Sequence, residues 1–324
     1  MKTFRFLLFR LLQAIPLVIG VVCINFVIIQ MAPGDAVEVL AGEAGTASAE
    51  YMADLRARFG LDKPAWQQLL AMLMRVAQFD LGYSFRHNLP VADLILSRLP
   101  ATLLLMGTAI TAAFVTGTAL GIVAARRVNS PIDAGISIVA LLAYATPVFW
   151  IGLMLIVQFS VVLGWLPSGG MMTITQSLSG MDAVVDVLRH LVLPATTLSL
   201  FFMAVYCRLM RASMLETIKQ DYVTAARARG ISDFRVLLRH AARNALLPLV
   251  TVVGLHVGGL LGGSVLVETV FSWPGLGRLA FESVFQRDYN LLLGILLVSS
   301  LLVIAINIVI DLLYARLDQR IKFN

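Results

Sequence analysis

Long apolar runs separated by polar segments dominate the sequence. A helix of about twenty apolar residues crosses the roughly 30 Å hydrocarbon core of a bilayer. Backbone polar groups find no water partner in lipid, so such runs must be helical. The pattern therefore predicts an all-α polytopic membrane protein with six transmembrane helices, at about Leu11–Met31, Ala101–Ala125, Asp133–Leu163, His190–Leu209, Ala245–Val267 and Leu291–Tyr314.

Two predicted features go beyond a plain bundle of helices. The third span is long enough to tilt, kink or emerge from the bilayer at Pro147. Between the first two spans, apolar residues recur at helical spacing on either side of Gly60–Pro64, which predicts two amphipathic helices with a stop and a restart between them. This external segment is either a docking surface for a partner or a cap packed on the bundle, and the two roles are compatible.

The composition excludes a soluble globular protein. The chain is 59% hydrophobic and 14% charged, against about 45–50% and about 25% in soluble domains. Lys and Arg concentrate in short polar segments and near both ends, so the positive-inside rule places both termini in the cytoplasm. The net charge of +6 reflects this topology and requires no nucleic acid. The apolar stretch after Lys2, Arg5 and Arg10 is too long for a signal peptide, so we expect an uncleaved first helix.

The sequence contains no motif for catalysis, nucleotide binding or metal binding. It lacks H-E-x-x-H, G-x-S-x-G and the Gly-x4-Gly-Lys-Ser/Thr loop that holds nucleotide phosphates. Cys23 and Cys207 stand alone inside predicted spans, which is typical of small packing residues. We therefore expect no enzyme activity, no bound cofactor and no metal, and any ATP would be hydrolysed by another chain.

A basic, helix-prone insert separates the fourth and fifth spans. Gly230 suits the left-handed end of a first helix, and Ser232 suits the N-cap of a second. On the second helix an apolar stripe at Phe234, Leu237, Leu238 and Ala241 is predicted to lie apart from a basic row at Arg235, Arg239 and Arg243. Such an elbow either receives force from a partner or only holds the loop inside and contacts anionic membrane lipid.

Polar residues inside the spans are candidates for a translocation path. His256 lies near the middle of the fifth span, and Asn25 and Gln158 lie in the first and third. Intramembrane polar groups often have functional roles, but hydrogen bonding to a neighbouring helix explains these three equally well. Trp165 and Trp273 are expected at the membrane interface, where tryptophan is enriched.

Several motifs, found in order along nearly the whole chain, carry a family resemblance. Thr224–Gly230 resembles the E-A-A-x-x-x-G signature of ABC importer permeases, with Thr224 in place of the glutamate and the later Leu-Pro displaced by five residues to Leu247–Pro248. The dipeptide/oligopeptide/nickel branch of this family is indicated by Ala32–Asp35, Gly60–Asp62, Asp80–Phe85, Thr146–Trp150, Arg211–Glu216, Asp221–Tyr222, His240–Pro248, Glu268–Arg278 and Arg287–Tyr289.

The resemblance implies a type I ABC importer permease fold in a bacterial inner membrane. Residues 1–98 would hold the first transmembrane helix and a long periplasmic segment, and residues 99–324 a five-helix permease core with a cytoplasmic coupling loop at 212–245. It implies that the permease takes up peptides or related small solutes. Its implied partners are a second, similar permease, two cytoplasmic ATPase subunits and a periplasmic or lipid-anchored substrate-binding protein.

The resemblance also assigns residues to roles. The coupling helix that meets the ATPase would use Asp221, Tyr222, Thr224, Ala225, Ala226 and Gly230, and periplasmic docking or gating would fall to Asp35, Trp273 and Pro274. The alternative function is an ion-coupled secondary transporter, which normally requires carboxylates near the middle of the membrane or paired discontinuous helices. A membrane-embedded enzyme and an inactive ATPase-binding scaffold are the further rivals.

Overall fold

The computed structural model describes residues 2–31, 49–59, 62–78, 80–84, 86–174, 178–263 and 265–317, with only the helical backbone given at 2–11, 257–263, 311–317 and a few single positions. The helices are α1 Lys2–Met31, α2 Ala49–Phe59, α3 Ala65–Ala77, α4 Val91–Arg126, α5 Pro131–Ala145, α6 Val148–Leu155, α7 Met181–Thr217, α8 Asp221–Ala228, α9 Asp233–Arg235, α10 Arg243–Gly263, α11 Val265–Val270, α12 Leu276–Phe285 and α13 Tyr289–Leu317. Two π-helical stretches, Ile156–Val162 and Val236–Ala242, extend α6 and join α9 to α10.

Four described helical runs are long and apolar enough to cross a membrane: Val91–Arg126, Met181–Thr217, Asp233–His256 and Tyr289–Ile310. A fifth crossing is formed if Pro131–Ala145 and Val148–Val162 count as one span. In α1 the apolar stretch Ile15–Ile28 is shorter. The helical membrane architecture is thus confirmed, whereas the count of six spans stays a prediction.

The third predicted span is sharply bent. Its two halves, Pro131–Ala145 and Val148–Val162, meet at an angle of 103° and are together called the bent pair below. Pro147 lies at the break, where its ring and missing N–H prevent a continuous helix. At the other end, Ser130 caps α5 by accepting a hydrogen bond from Asp133 N, and Pro131 takes the first helical position.

The segment between the first two predicted spans contains the two helices that the spacing predicts, α2 and α3. Gly60 lies outside the described residues, and Pro64 occupies the N-cap position of α3. The all-α prediction missed one small element, an antiparallel hairpin in which Tyr83 pairs with Pro90 and Ser84 with Leu89.

The residues group into two compact units. The first comprises Met1–Pro100 and Leu279–Ile308, and the second comprises Ala101–Arg278 and Val309–Lys322. In the second unit the core is formed by Ala101, Leu105, Ala109, Leu191, Leu193, Leu198, Val267, Phe271 and Trp273. The predicted division at residues 98 and 99 stays a prediction.

Helices α4 and α7 approach each other closely because of two glycines. A Cβ added at Gly117 would lie 2.8 Å from Met203 O, and one added at Gly121 would lie 2.7 Å from Cys207 O. Small residues spaced by four let helix backbones come together in membranes. Helix α10 has a similar tight position, since a Cβ added at Gly254 would lie 2.8 Å from Ile310 Cγ2.

Candidate functional site: the elbow and the buried polar groups

The elbow comprises residues 221–242. Its first arm is the short helix α8, and its second arm runs from Ser232 to Ala242. Helix α8 begins after Gln220 and ends at Arg229. Gly230 then takes a φ of +76°, and its N–H donates to Arg227 O at 2.9 Å. A left-handed backbone favours glycine because no Cβ is present to clash. The predicted helix and its glycine end are therefore confirmed as structure.

One face of α8 is buried against the second arm. Val223 and Ala226 pack with Val236 and with the partly buried Ile231. Val223 is fully buried, and burial of a valine side chain stabilises a structure by about 1.5–3 kcal/mol. The two arms thus form one small apolar core of their own.

The opposite face of α8 is exposed. Asp221, Thr224 and Ala225 are open, and the Tyr222 ring is exposed while its hydroxyl accepts a 2.7 Å hydrogen bond from Asn244 Nδ2. Five of the six residues assigned to the coupling helix are therefore exposed, four of them on this face of α8. Ala226 lies beneath it, and Gly230 makes the turn.

The second arm differs from its prediction. Ser232 occupies the N-cap position, but its side chain makes no capping hydrogen bond. The next residue, Asp233, forms an exposed ion pair with Arg227, whose Nε lies 3.4 Å from Asp233 Oδ1. Phe234 and Leu238 are exposed, whereas Leu237 is partly buried and Ala241 fully buried, so only half of the predicted apolar stripe faces inward. The π-helical stretch is the cause, since its i→i+5 hydrogen bonds place more residues in each turn than the assumed α-helical period.

His256 is held in an aromatic cluster of the second unit. Its Nδ1 lies 3.3 Å from the Tyr206 hydroxyl, and its ring centroid lies 5.1 Å from that of Phe202. The sequence left two roles for His256, lining a translocation path or hydrogen bonding to a neighbouring helix. The structure favours the hydrogen bond.

The other path candidates are not brought to His256 by any described contact. Gln158 is exposed within the π-helical end of the bent pair. Asn25 belongs to the other compact unit, and its Nδ2 donates to Val21 O of its own helix at 2.9 Å. Asp35, the first of the docking or gating candidates, lies outside the described residues.

Trp273 is a core residue. Its side chain is fully buried, and its Nε1 donates to Ala101 O at 2.9 Å. The expectation of an interfacial anchor is wrong for Trp273, because the indole N–H finds its partner inside the protein. Trp165, by contrast, is exposed, and Pro274 is partly buried.

Sequence reasoning missed Glu268 as a buried polar centre. Its Oε1 accepts from Thr102 Oγ1 at 3.0 Å, and its Oε2 accepts from Arg278 N at 2.8 Å. Thr102 Oγ1 accepts in turn from Leu276 N at 2.7 Å. An acidic residue in an apolar stretch just before Pro-Gly-Leu-Gly was the available signal, since a buried carboxylate requires donors.

A second missed cluster lies in the first unit. The buried Ser84 hydroxyl donates to Asp288 Oδ2, and Asp288 Oδ1 caps α13 by accepting from Leu291 N at 3.1 Å. Asn290 Nδ2 also donates to Tyr83 O at 3.1 Å. These bonds join the hairpin to the start of α13, two regions that the sequence singled out separately.

Apolar helices, a bent pair and an elbow with one exposed face define a polytopic membrane protein. The family described as "Binding-protein-dependent transport system inner membrane component" matches residues 117–323, and its N-terminal companion, "Binding-prot-dependent transport system membrane comp, N-term", matches residues 3–106. The chain belongs to this family of membrane transport components.

Two relatives and one solved structure extend this finding. The dipeptide transport system permease protein DppB of Escherichia coli (strain K12) is 40% identical, with 98% of each chain covered. The oligopeptide transport system permease protein AppB of Bacillus subtilis (strain 168) is 40% identical, with 97% of this chain and 98% of the relative covered. The MetNI methionine ABC transporter in its inward-facing conformation matches with a TM-score of 0.56 at 18% identity, over 69% of this chain and 96% of that one.

Family membership decides the class of protein. The fold is that of type I ABC importer permeases, as predicted, and the chain is a membrane-spanning transport component and not an enzyme. The ABC permease function is likewise supported over the ion-coupled secondary transporter.

Proposed function

We propose that this chain is a peptide-conducting permease subunit of an ABC importer in a bacterial inner membrane. The observation that carries the proposal is the likeness to permeases named for dipeptides and oligopeptides over 97–98% of the chain. Because the likeness covers 97–98% of the chain, it includes both the segment between the first two predicted spans and the elbow.

The elbow is the proposed contact with an ATPase subunit. The exposed face of α8 carries the small Thr224 and Ala225 beside Tyr222, so a groove on a partner can approach the helix backbone. Its other face is buried on the second arm, which runs without a break into α10. A push on α8 would therefore reach a membrane-spanning helix directly.

The remaining partners are part of the same proposal. Two ATPase subunits would bind and hydrolyse ATP, and a second, similar permease would complete the path. The Lys- and Arg-rich elbow and both termini would face the cytoplasm. A periplasmic or lipid-anchored binding protein would deliver peptides to the opposite side, where the predicted docking or gating residues Asp35 and Pro274 would lie. Trp273 is buried, so its role there would be in gating and not in docking.

Copurification followed by reconstitution tests this function. The tagged full-length chain is extracted from its native membrane, stoichiometric partners are identified by mass spectrometry, and the complex is placed in proteoliposomes with radiolabelled dipeptides. We expect a similar permease and P-loop ATPases to copurify, and uptake to require ATP and the binding protein. Recovery of the chain alone, with uptake that runs on an ion gradient and without ATP, would overturn the proposal.

A further inference from the structure

Asp133 and Arg211 form a two-pronged ion pair between helices α5 and α7. Arg211 Nε donates to Asp133 Oδ1 and Arg211 Nη2 donates to Asp133 Oδ2, both at 2.7 Å. This bidentate geometry fixes the direction as well as the distance between the two groups. The residues are 78 positions apart in the sequence, so the pair joins two separate helices.

The carboxylate of this pair is almost enclosed. The Asp133 side chain is 6% exposed and the Arg211 side chain is 30% exposed. Asp133 Oδ2 also accepts from Asn129 N at 3.0 Å, so both oxygens are occupied. Asp133 lies in the first turn of α5, where the helix dipole favours a negative charge.

Stability alone does not explain a buried ion pair. Removing two charges from water costs about as much as their attraction returns, and apolar replacements are often neutral or stabilising. The best-attested use of such pairs is to hold one arrangement of elements against others. A fixed relation between α5 and α7 is therefore the property to explain.

The two helices have different neighbours along the chain. Helix α7 ends at Thr217 and leads into the elbow at Asp221, so Arg211 lies less than two turns from that end. Helix α5 is the first half of the bent pair. Met210 and Met214, on either side of Arg211, are fully buried, so this part of α7 cannot shift without moving its neighbours.

We propose that the Asp133–Arg211 pair is the link that passes displacement of the elbow to the bent pair during transport. The inference rests on the proposed coupling role of the elbow. Asp133 and Arg211 are positioning residues in this scheme, since each acts by holding the helix of the other in place. Arginine suits position 211 because its planar guanidinium presents two parallel N–H donors to the carboxylate, a geometry that the compact ammonium of lysine lacks.

The test measures peptide taken up per ATP hydrolysed by the reconstituted full complex. The variants are Asp133→Asn, Arg211→Met and the double variant, assayed with a radiolabelled dipeptide that the wild-type complex transports. The double variant leaves no unpaired buried charge, so it restores stability without restoring the link. We expect all three to hydrolyse ATP with about tenfold less uptake per ATP, the upper range of effects along coupling networks.

Arg208→Met is the matched control. Arg208 lies three residues earlier on α7, with its guanidinium 5.8 Å over the Tyr144 ring instead of at Asp133. This variant removes the same charge and is expected to keep the wild-type uptake per ATP.

The outcomes separate the link from the proposed function. If wild-type vesicles do not take up peptide with ATP, the proposed function itself fails. If the wild-type complex couples uptake to ATP hydrolysis and the double variant takes up as much peptide per ATP as the wild type, the link is overturned. If uptake and the amount of assembled complex fall in parallel in every variant, the pair only fastens the structure, and the link is overturned as well.

Discussion

At Gly275 there is no room for a side chain. A Cβ added there would collide with the carboxylate of Glu268, which is fully buried. Thr102 and the backbone N–H of Arg278 hold that carboxylate in place, so it cannot swing away. The glycine is needed at this position for close approach.

We therefore predict that Gly275→Ala lowers the free energy of unfolding by about 1–3 kcal/mol, the usual cost of overpacking. Thermal unfolding of the detergent-solubilised chain measures this change. Gly135→Ala is the control, because a Cβ there meets nothing within 4 Å and alanine favours a helix. Equal melting temperatures for the two variants would contradict the tight fit.

Gly230 is needed for a different reason. Nothing lies within 4 Å of a Cβ added at Gly230. However, the backbone φ of Gly230 is +76°, far from the value near −65° that proline imposes. We expect Gly230→Pro to abolish ATP-dependent uptake while the chain still inserts, because the elbow can no longer turn. Uptake assays with an immunoblot of the membrane fraction check this.

The matched variant at this position is Gly230→Asn. Asparagine tolerates the left-handed region, so this variant should retain most uptake. Normal uptake by Gly230→Pro would count against a coupling role for the elbow.

At the scale of one element, the two faces of α8 should respond differently to substitution. Val223→Ala removes buried methyl groups and should cost about 1–2 kcal/mol of stability. Ala225→Trp adds bulk to the exposed face, so it should leave stability unchanged and reduce ATPase copurification. Melting temperature and the ATPase recovered per permease measure the two effects. Unchanged ATPase recovery with Ala225→Trp would refute the contact.

The elbow also shows where periodicity stops being informative. Its first helix and the turn at Gly230 follow from local residue preferences, and the structure confirms both. Only half of the stripe of the second arm is buried, because Val236, and not Phe234, faces the small core. A π-helical stretch depends on packing that no local pattern reports, so the phase of its side chains could not be predicted.

At the scale of the whole molecule, the 103° bend leaves two topologies for the bent pair. If the bent pair crosses the bilayer, Val128 and Trp165 lie on opposite sides. If it is re-entrant, they lie on the same side. Arg126 and Arg127 beside Val128 favour a cytoplasmic position for that end.

Single-cysteine labelling distinguishes the two topologies. Val128→Cys and Trp165→Cys are made with Cys23 and Cys207 replaced by alanine, and intact spheroplasts are treated with a membrane-impermeant maleimide. Both positions are exposed, so access depends on the side of the membrane. We expect Trp165→Cys to react at once and Val128→Cys only after permeabilisation. The same reactivity at both positions would make the bent pair a re-entrant loop.

The sequence by itself determined the helical membrane class, the two helices between the first two predicted spans and the turn at Gly230, and it marked Pro147 as the place where the third span could leave a straight path. Each depends on residues near one another in the chain. Only the tertiary structure decided the roles of Glu268, Trp273 and the Asp133–Arg211 pair. Their partners lie 166, 172 and 78 residues away, and a buried donor or acceptor carries no mark in the sequence of which distant group will satisfy it.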